Sequence, residues 1–169
     1  MSIATTLEPR PHQLTDTLRM KIAREIAQKL FDDDLINGEE SIIPCANDIS
    51  NNALISMDGY ELARELEERC GWIPTLEIAQ ILDNYGDDAR SAIDDLQKDW
   101  VIRNNIQPPY SVGTRVAVKR GWDDRCGVIV KIFEHGPAKY IVRLDGQSAT
   151  TGAIVNFEDV TTELSNQPT

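Results

Sequence analysis

The stretch Asn104-Asn105-Ile106-Gln107-Pro108-Pro109-Tyr110-Ser111-Val112-Gly113-Thr114-Arg115-Val116-Ala117-Val118 decides how the chain is read. Before it, apolar residues recur at the three- and four-residue steps of amphipathic helices. After it, Val, Ile, Gly and Thr alternate at the period of strands. A Pro-Pro pair cannot sit inside a helix and drives the preceding residue toward extended backbone, so the composition shift and a break in geometry coincide. The expected class is α+β, with a helical domain over residues 13–107 and an antiparallel β module over 108–164. Residues 1–12 and 165–169 are expected to be loosely held ends.

Charge changes at the same junction. Residues 1–107 hold 10 Lys and Arg against 21 Asp and Glu, whereas residues 108–169 hold 7 against 7. The net charge of -11 carried by the 169 residues therefore belongs to the helical part. Within it, Leu14, Leu18, Ile22, Ile26 and Leu30 mark one side of a helix from Leu14 to Phe31. The apolar arc is wide, which fits a buried helix and also allows a homodimer. Asp32-Asp33-Asp34 follows without the alternating spacing of a calcium loop and reads as a solvated turn. Residues 37–55, with Gly38, Pro44 and several asparagines, read as irregular backbone with room for one short helix.

Asp58 and Glu61 have capping-box spacing and open a helix with Leu62, Ala63, Leu66 and Cys70 inward, which Gly71 stops. Pro74-Thr75 opens another, with Leu76, Ala79, Ile81, Leu82 and Tyr85 inward and Gly86 as its expected end. Asp87 then caps a last helix to about Ile102, with Ala89, Ala92, Ile93, Leu96 and Trp100 inward. The outer sides are acidic: Glu61, Glu65 and Glu68 on one helix, Asp88, Asp95 and Asp99 on another.

Beyond the junction, the pieces Val112–Val118, Cys126–Phe133, Lys139–Leu144 and Ala153–Val155 are separated by glycine-containing turns and Ala153–Val155 leads on to Phe157–Val160, the spacing of a small barrel or sandwich. The runs VGTRVAVKRGWDDRCGVIVKI, YIVRLDG and FEDV resemble the SH3-like small barrels, including the KOW modules, over about a third of the chain. That resemblance implies an SH3-like antiparallel β-barrel and brings no catalytic residue, since the family includes RNA-binding, ribosomal and protein-docking members. Arg115, Lys119, Arg120, Trp122 and Arg125 are its candidate contacts. Trp and Arg are the side chains favoured at the centre of protein interfaces, while Trp122 is equally suited to capping one end of the barrel.

No nucleophile-base pair, metal-ligand spacing or phosphate-binding glycine loop occurs; the nearest approach is Cys45 or Cys126 with His135. The sequence implies no cofactor and no metal. Three cysteines without a C-x-x-C pair read as reduced thiols, and no apolar run approaches the roughly 20 residues of a membrane span. A cytoplasmic location is the expectation. The leading functional reading is a non-enzymatic adaptor or regulatory protein, docking on a protein partner through the acidic helices and the barrel. An alternative is an acidic nucleic-acid mimic that inhibits a basic nucleic-acid-binding complex, as phage and mobile-element anti-defence proteins such as anti-CRISPRs do. A second is RNA or ribosome association through the barrel, against which the acidic neighbour would repel phosphates.

Overall fold

Thr15 begins the first helix by accepting the Leu18 N–H on its hydroxyl at 3.3 Å, the usual way a short side chain satisfies a first-turn donor. The computed structural model describes residues 8–119, 125–148 and 150–162. Helix α1 spans Asp16–Asp32 and buries Ile22, Ala23, Ile26, Ala27 and Leu30, so the expected stripe forms one wall of a core. After a 3-10 turn (Glu39–Ser41), α2 runs over Ile42–Asn52 and buries Cys45, Ala46, Ile49 and Ser50. This segment, read from sequence as mainly irregular, is three turns of helix. Pro44 is tolerated because it sits in the first turn, where its missing N–H would have had no helical acceptor.

Helix α3 is Gly59–Cys70. Asp58 accepts the Glu61 N–H at 2.7 Å while Glu61 accepts the Asp58 N–H at 3.1 Å, and Gly71 ends the helix in the left-handed conformation. Leu62, Ala63 and Leu66 are buried; Cys70 is half-buried against the same core. Helix α4 is Leu76–Leu82 and α5 is Asn84–Arg103. The break thus falls at Asp83, three residues before the glycine expected to make it. Gly86 lies inside α5, where a Cβ would stand 3.1 Å from the Ile55 carbonyl oxygen, so glycine serves close packing there. Leu76, expected inward, is exposed, and Ile78 takes its place in the core.

Gly59 is the tightest of these approaches. A Cβ at this position would lie 2.0 Å from the Ala79 carbonyl oxygen and 2.5 Å from the Asp83 nitrogen. The first turn of α3 therefore rests directly on the last turn of α4, and the Asp83 carboxylate accepts the Gly59 N–H at 2.8 Å.

Packing divides the chain into two compact units, Pro9–Leu96 and the residues from Gln97 onward together with Glu8. The division precedes the Pro-Pro pair because Trp100 and Val101, at the end of α5, pack into the core of the β unit. Part of the stretch expected to be a loose lead is also held: Trp100 Nε1 donates to the Glu8 carbonyl at 2.7 Å, and Arg10 is buried.

The second unit contains β1 (Arg115–Val118), β2 (Arg125–Ile132), β3 (Lys139–Leu144), β4 (Ala153–Asn156) and β5 (Val160–Thr162), all antiparallel, in the order β4-β3-β2-β1-β5. A 3-10 turn, Phe157–Asp159, replaces the strand expected there and separates β4 from β5. In a flat sheet those two edges would be about 19 Å apart, whereas four residue steps reach at most about 14 Å and less in 3-10 geometry. The sheet is therefore curled, although no β4–β5 pairing closes it among the described residues. Tyr140 fills the inside of the curl, its hydroxyl accepting from the Tyr110 N–H at 2.9 Å and donating to the Tyr110 carbonyl at 2.8 Å.

Gly59→Ala forces two helix ends apart, and overpacking of this kind costs about 1–3 kcal/mol. Urea unfolding followed by helical circular dichroism should show the helical unit destabilised by that amount, with the β unit's near-ultraviolet signal unchanged at the first midpoint.

Candidate functional site

The capping box that starts α3 also fixes which side chains its outer face presents. Tyr60, Glu61, Arg64, Glu65 and Glu68 line a groove of about 440 Å³ whose other wall is Leu54, Ser56 and Met57. Tyr60 is 67% exposed and Leu54 58% exposed, so an aromatic ring and a branched side chain lie open to solvent beside three carboxylates. Each carboxylate has an intramolecular engagement. Glu61 closes the capping box, Glu65 pairs with Arg69, and Glu68 with Arg64 at 3.2 Å. Exposed pairs one helical turn apart are worth only about 0.3–0.5 kcal/mol, so a partner's cations can replace the arginines at little cost.

The remaining predicted acids do not join this groove. Asp88 lines a separate hollow with Glu25, Lys29 and Asn84. Its carboxyl is pushed up by partial burial first, then by the like charges of Glu25 and Asp87. Asp95, seven residues on, shares that side of α5 by helical spacing. Asp99 falls beyond Leu96 and so in the second unit.

In the β unit, Arg115 forks onto the Asp145 carboxylate, with Nη1 to Oδ1 at 3.1 Å and Nη2 to Oδ2 at 2.5 Å. These hydrogen bonds hold the Asp145 carboxyl below the usual aspartate range. Lys119 is exposed, its backbone N–H donating to the Asp159 carbonyl at 2.9 Å. Arg125 is exposed at the start of β2. Arg120 and Trp122 lie outside the described residues.

Neither the Cys45 nor the Cys70 thiol is activated as a thiolate. Burial, reinforced by the Asp48 charge, pushes the Cys45 thiol up to about 12. Cys70 is raised too, mainly by desolvation, and accepts from Asn52 Nδ2 at 3.4 Å. His135 packs edge-on against Phe133 with ring centroids 5.7 Å apart. Among the described residues no three His, Cys, Asp or Glu side chains converge to hold a metal ion, and no helix is long and apolar enough to cross a membrane.

Sequence reasoning placed Glu61, Glu65 and Glu68 on an outer face but missed Tyr60 and Leu54. The signal for Tyr60 was present: it lies off the stripe of Leu62, Ala63 and Leu66, an aromatic on the side of a helix that faces water. Comparison with known proteins found no matching family, no matching curated protein and no matching solved structure.

Two titrations check these assignments. A thiol raised by burial binds its proton in the folded state after the unfolded thiol, near pH 8.5, has lost it. Cys45 therefore lowers stability as pH rises from about 8.5; Cys45→Ala should flatten that decline in denaturant midpoints measured up to pH 10 or so, and native protein at about pH 8 should resist alkylation at Cys45 until unfolded. For Asp145 the sign is opposite. Its contribution is present above the unfolded value, about 3.9, and is lost as pH falls through the lower folded value. Carbon-detected NMR should show Arg115→Gln returning Asp145 to the ordinary aspartate range.

Proposed function

We propose that the protein is a non-enzymatic interaction protein whose helical unit docks on a partner presenting a cationic amphipathic segment, with the α3 groove as the contact. The supporting observation is the pairing of exposed Tyr60 and Leu54 with Glu61, Glu65 and Glu68 along one groove. Tyr is among the side chains favoured at the centre of such a contact, Leu54 adds apolar area to bury, and the surrounding carboxylates select basic residues. The excess of acid over base in this unit would steer a basic partner from a distance, an effect that weakens as salt shortens the screening length.

For the second unit, the finer reading is an SH3-like module. It is supported by the strand order β4-β3-β2-β1-β5, by the 3-10 turn before the last strand and by the curl that this short link imposes. A protein-docking role fits it better than an RNA role, because residues 108–169 balance 7 Lys and Arg against 7 Asp and Glu and so carry no basic excess for a phosphate backbone. The nucleic-acid-mimic reading draws on a different observation, the cluster of Asp88 with Glu25 and Asp87. It would place the contact on α1 and α5 rather than on α3.

Affinity capture from the native host, quantified by mass spectrometry, separates these readings. The variants Tyr60→Ala and Glu65→Lys/Glu68→Lys should each lose the partner that the wild type retains, and retention should fall with added salt. Loss on Asp88→Lys/Asp95→Lys with retention by the α3 variants would move the contact to the mimic surface. Unchanged capture by every variant would reject docking through the helical unit.

A further inference from the structure

A second opening in the helical unit has the opposite electrical character. The cleft of about 520 Å³ between the start of α1, the 53–56 turn and the first turns of α5 is lined by Arg19 and Arg90 and by no carboxylate. The unit around it, residues 9–96, carries 19 Asp and Glu against 8 Lys and Arg. An all-cationic lining is thus an exception to its own surroundings. The two arginines have different duties. Arg90 donates from Nη1 to the Ile55 carbonyl at 3.1 Å and from Nη2 to Asp87 at 2.7 Å, so it pins the turn that forms one wall and is neutralised by Asp87. Arg19 is half-buried and has no ion-pair partner among the described residues.

Beside it, Tyr85 is a buried residue that still lines the cleft. Its hydroxyl proton is held tightly by burial, against the pull of the Arg19 charge, so it stays a donor at neutral pH. The rest of the lining is chiefly apolar: Leu14, Ala53, Leu54 and Ile55. A guanidinium without a carboxylate, a neutral phenol and an aliphatic wall in a space of this size match a ligand with one negative charge on an apolar body. A phosphate, with more charge and no apolar part, would leave the aliphatic wall unused.

We propose that this cleft binds a small organic monocarboxylate, its carboxylate on Arg19 and Tyr85 and its hydrocarbon part on Leu14, Ala53 and Ile55. The cleft shares Leu54 and Ser56 with the α3 groove, but the contacts assigned to the ligand, Arg19, Tyr85, Leu14, Ala53 and Ile55, lie outside that groove, and the proposal does not rest on the docking reading above. Its test uses octanoate as the probe on the full chain, followed by amide NMR, with octanol, octylamine and inorganic phosphate as comparisons. Octanoate should give saturable shifts at amides around Arg19, Ile55 and Tyr85, octanol much weaker ones, and octylamine and phosphate none there. A charge-assisted hydrogen bond is worth enough that Arg19→Gln should weaken octanoate by about tenfold or more, with Arg19→Lys keeping most of the affinity and Tyr85→Phe losing less. The variants' unperturbed spectra elsewhere establish that they fold. Octanoate shifts that never saturate in the millimolar range, octanol binding as tightly as octanoate, or Arg19→Gln binding like the wild type would each overturn the proposal.

Discussion

Three residues, Phe157–Asp159, join the two strands that lie at opposite edges of the five-stranded sheet. So short a link leaves the sheet no flat solution, and the curl it imposes creates the concave face on which the β unit's core is built. The link also furnishes part of what fills that face. Phe157 packs against Tyr140 with ring centroids 4.3 Å apart, and Tyr140 in turn anchors the Tyr110 backbone through both of its hydrogen-bonding groups. Curvature, core and the path of the chain into β1 are therefore consequences of one connection. The bulge in β2 between Ile129 and Lys131 works in the same direction, since an extra residue bends its strand.

The helical unit meets a different constraint. Its acids outnumber its bases by 19 to 8, and like charges oppose compaction. Its core relies on alanines, among them Ala23, Ala27, Ala46, Ala63, Ala79 and Ala89, which let helices approach closely enough for their larger neighbours to interlock. Several exposed carboxylates, those of Glu25, Asp33 and Glu68, take a cation one turn away. Such weak pairs leave the acidic surface available for exchange, whereas the buried interior is fixed. The unit thus presents two openings that share Leu54 but contrast in chemistry, one bordered by Glu61, Glu65 and Glu68 and one by Arg19 and Arg90.

What was legible in the sequence had local causes. The stripe of α1, the capping box at Asp58, the stop at Gly71 and most of the strands follow from neighbours a few positions away. What was missed depended on groups distant in sequence. Helix α2 was obscured by asparagines and Pro44, and its burial against α1 is what makes it a helix. Gly86 read as a stop because glycine usually is one; only the Ile55 carbonyl shows why a side chain is excluded from mid-helix there. The end of α5 joined the β core through Trp100, which periodicity alone assigned to the preceding helices. At the candidate site, charge was readable from composition, but the exposure of Tyr60 and Leu54 and the cleft holding Arg19 and Tyr85 emerge only when separate segments converge.

The strand pairings carry a further consequence for how the chain assembles. β1 with β2, β2 with β3, and β3 with β4 are all neighbours along the sequence, and such hairpins can form within microseconds of the chain being able to turn. β1 with β5 is the exception, matching Val116 to Thr162 and Val118 to Val160. During synthesis, one side of β1 stays unsatisfied until the far end of the module has left the ribosome. Loop-closure entropy makes that seam the late event, and until it forms β1 is an open template for other chains.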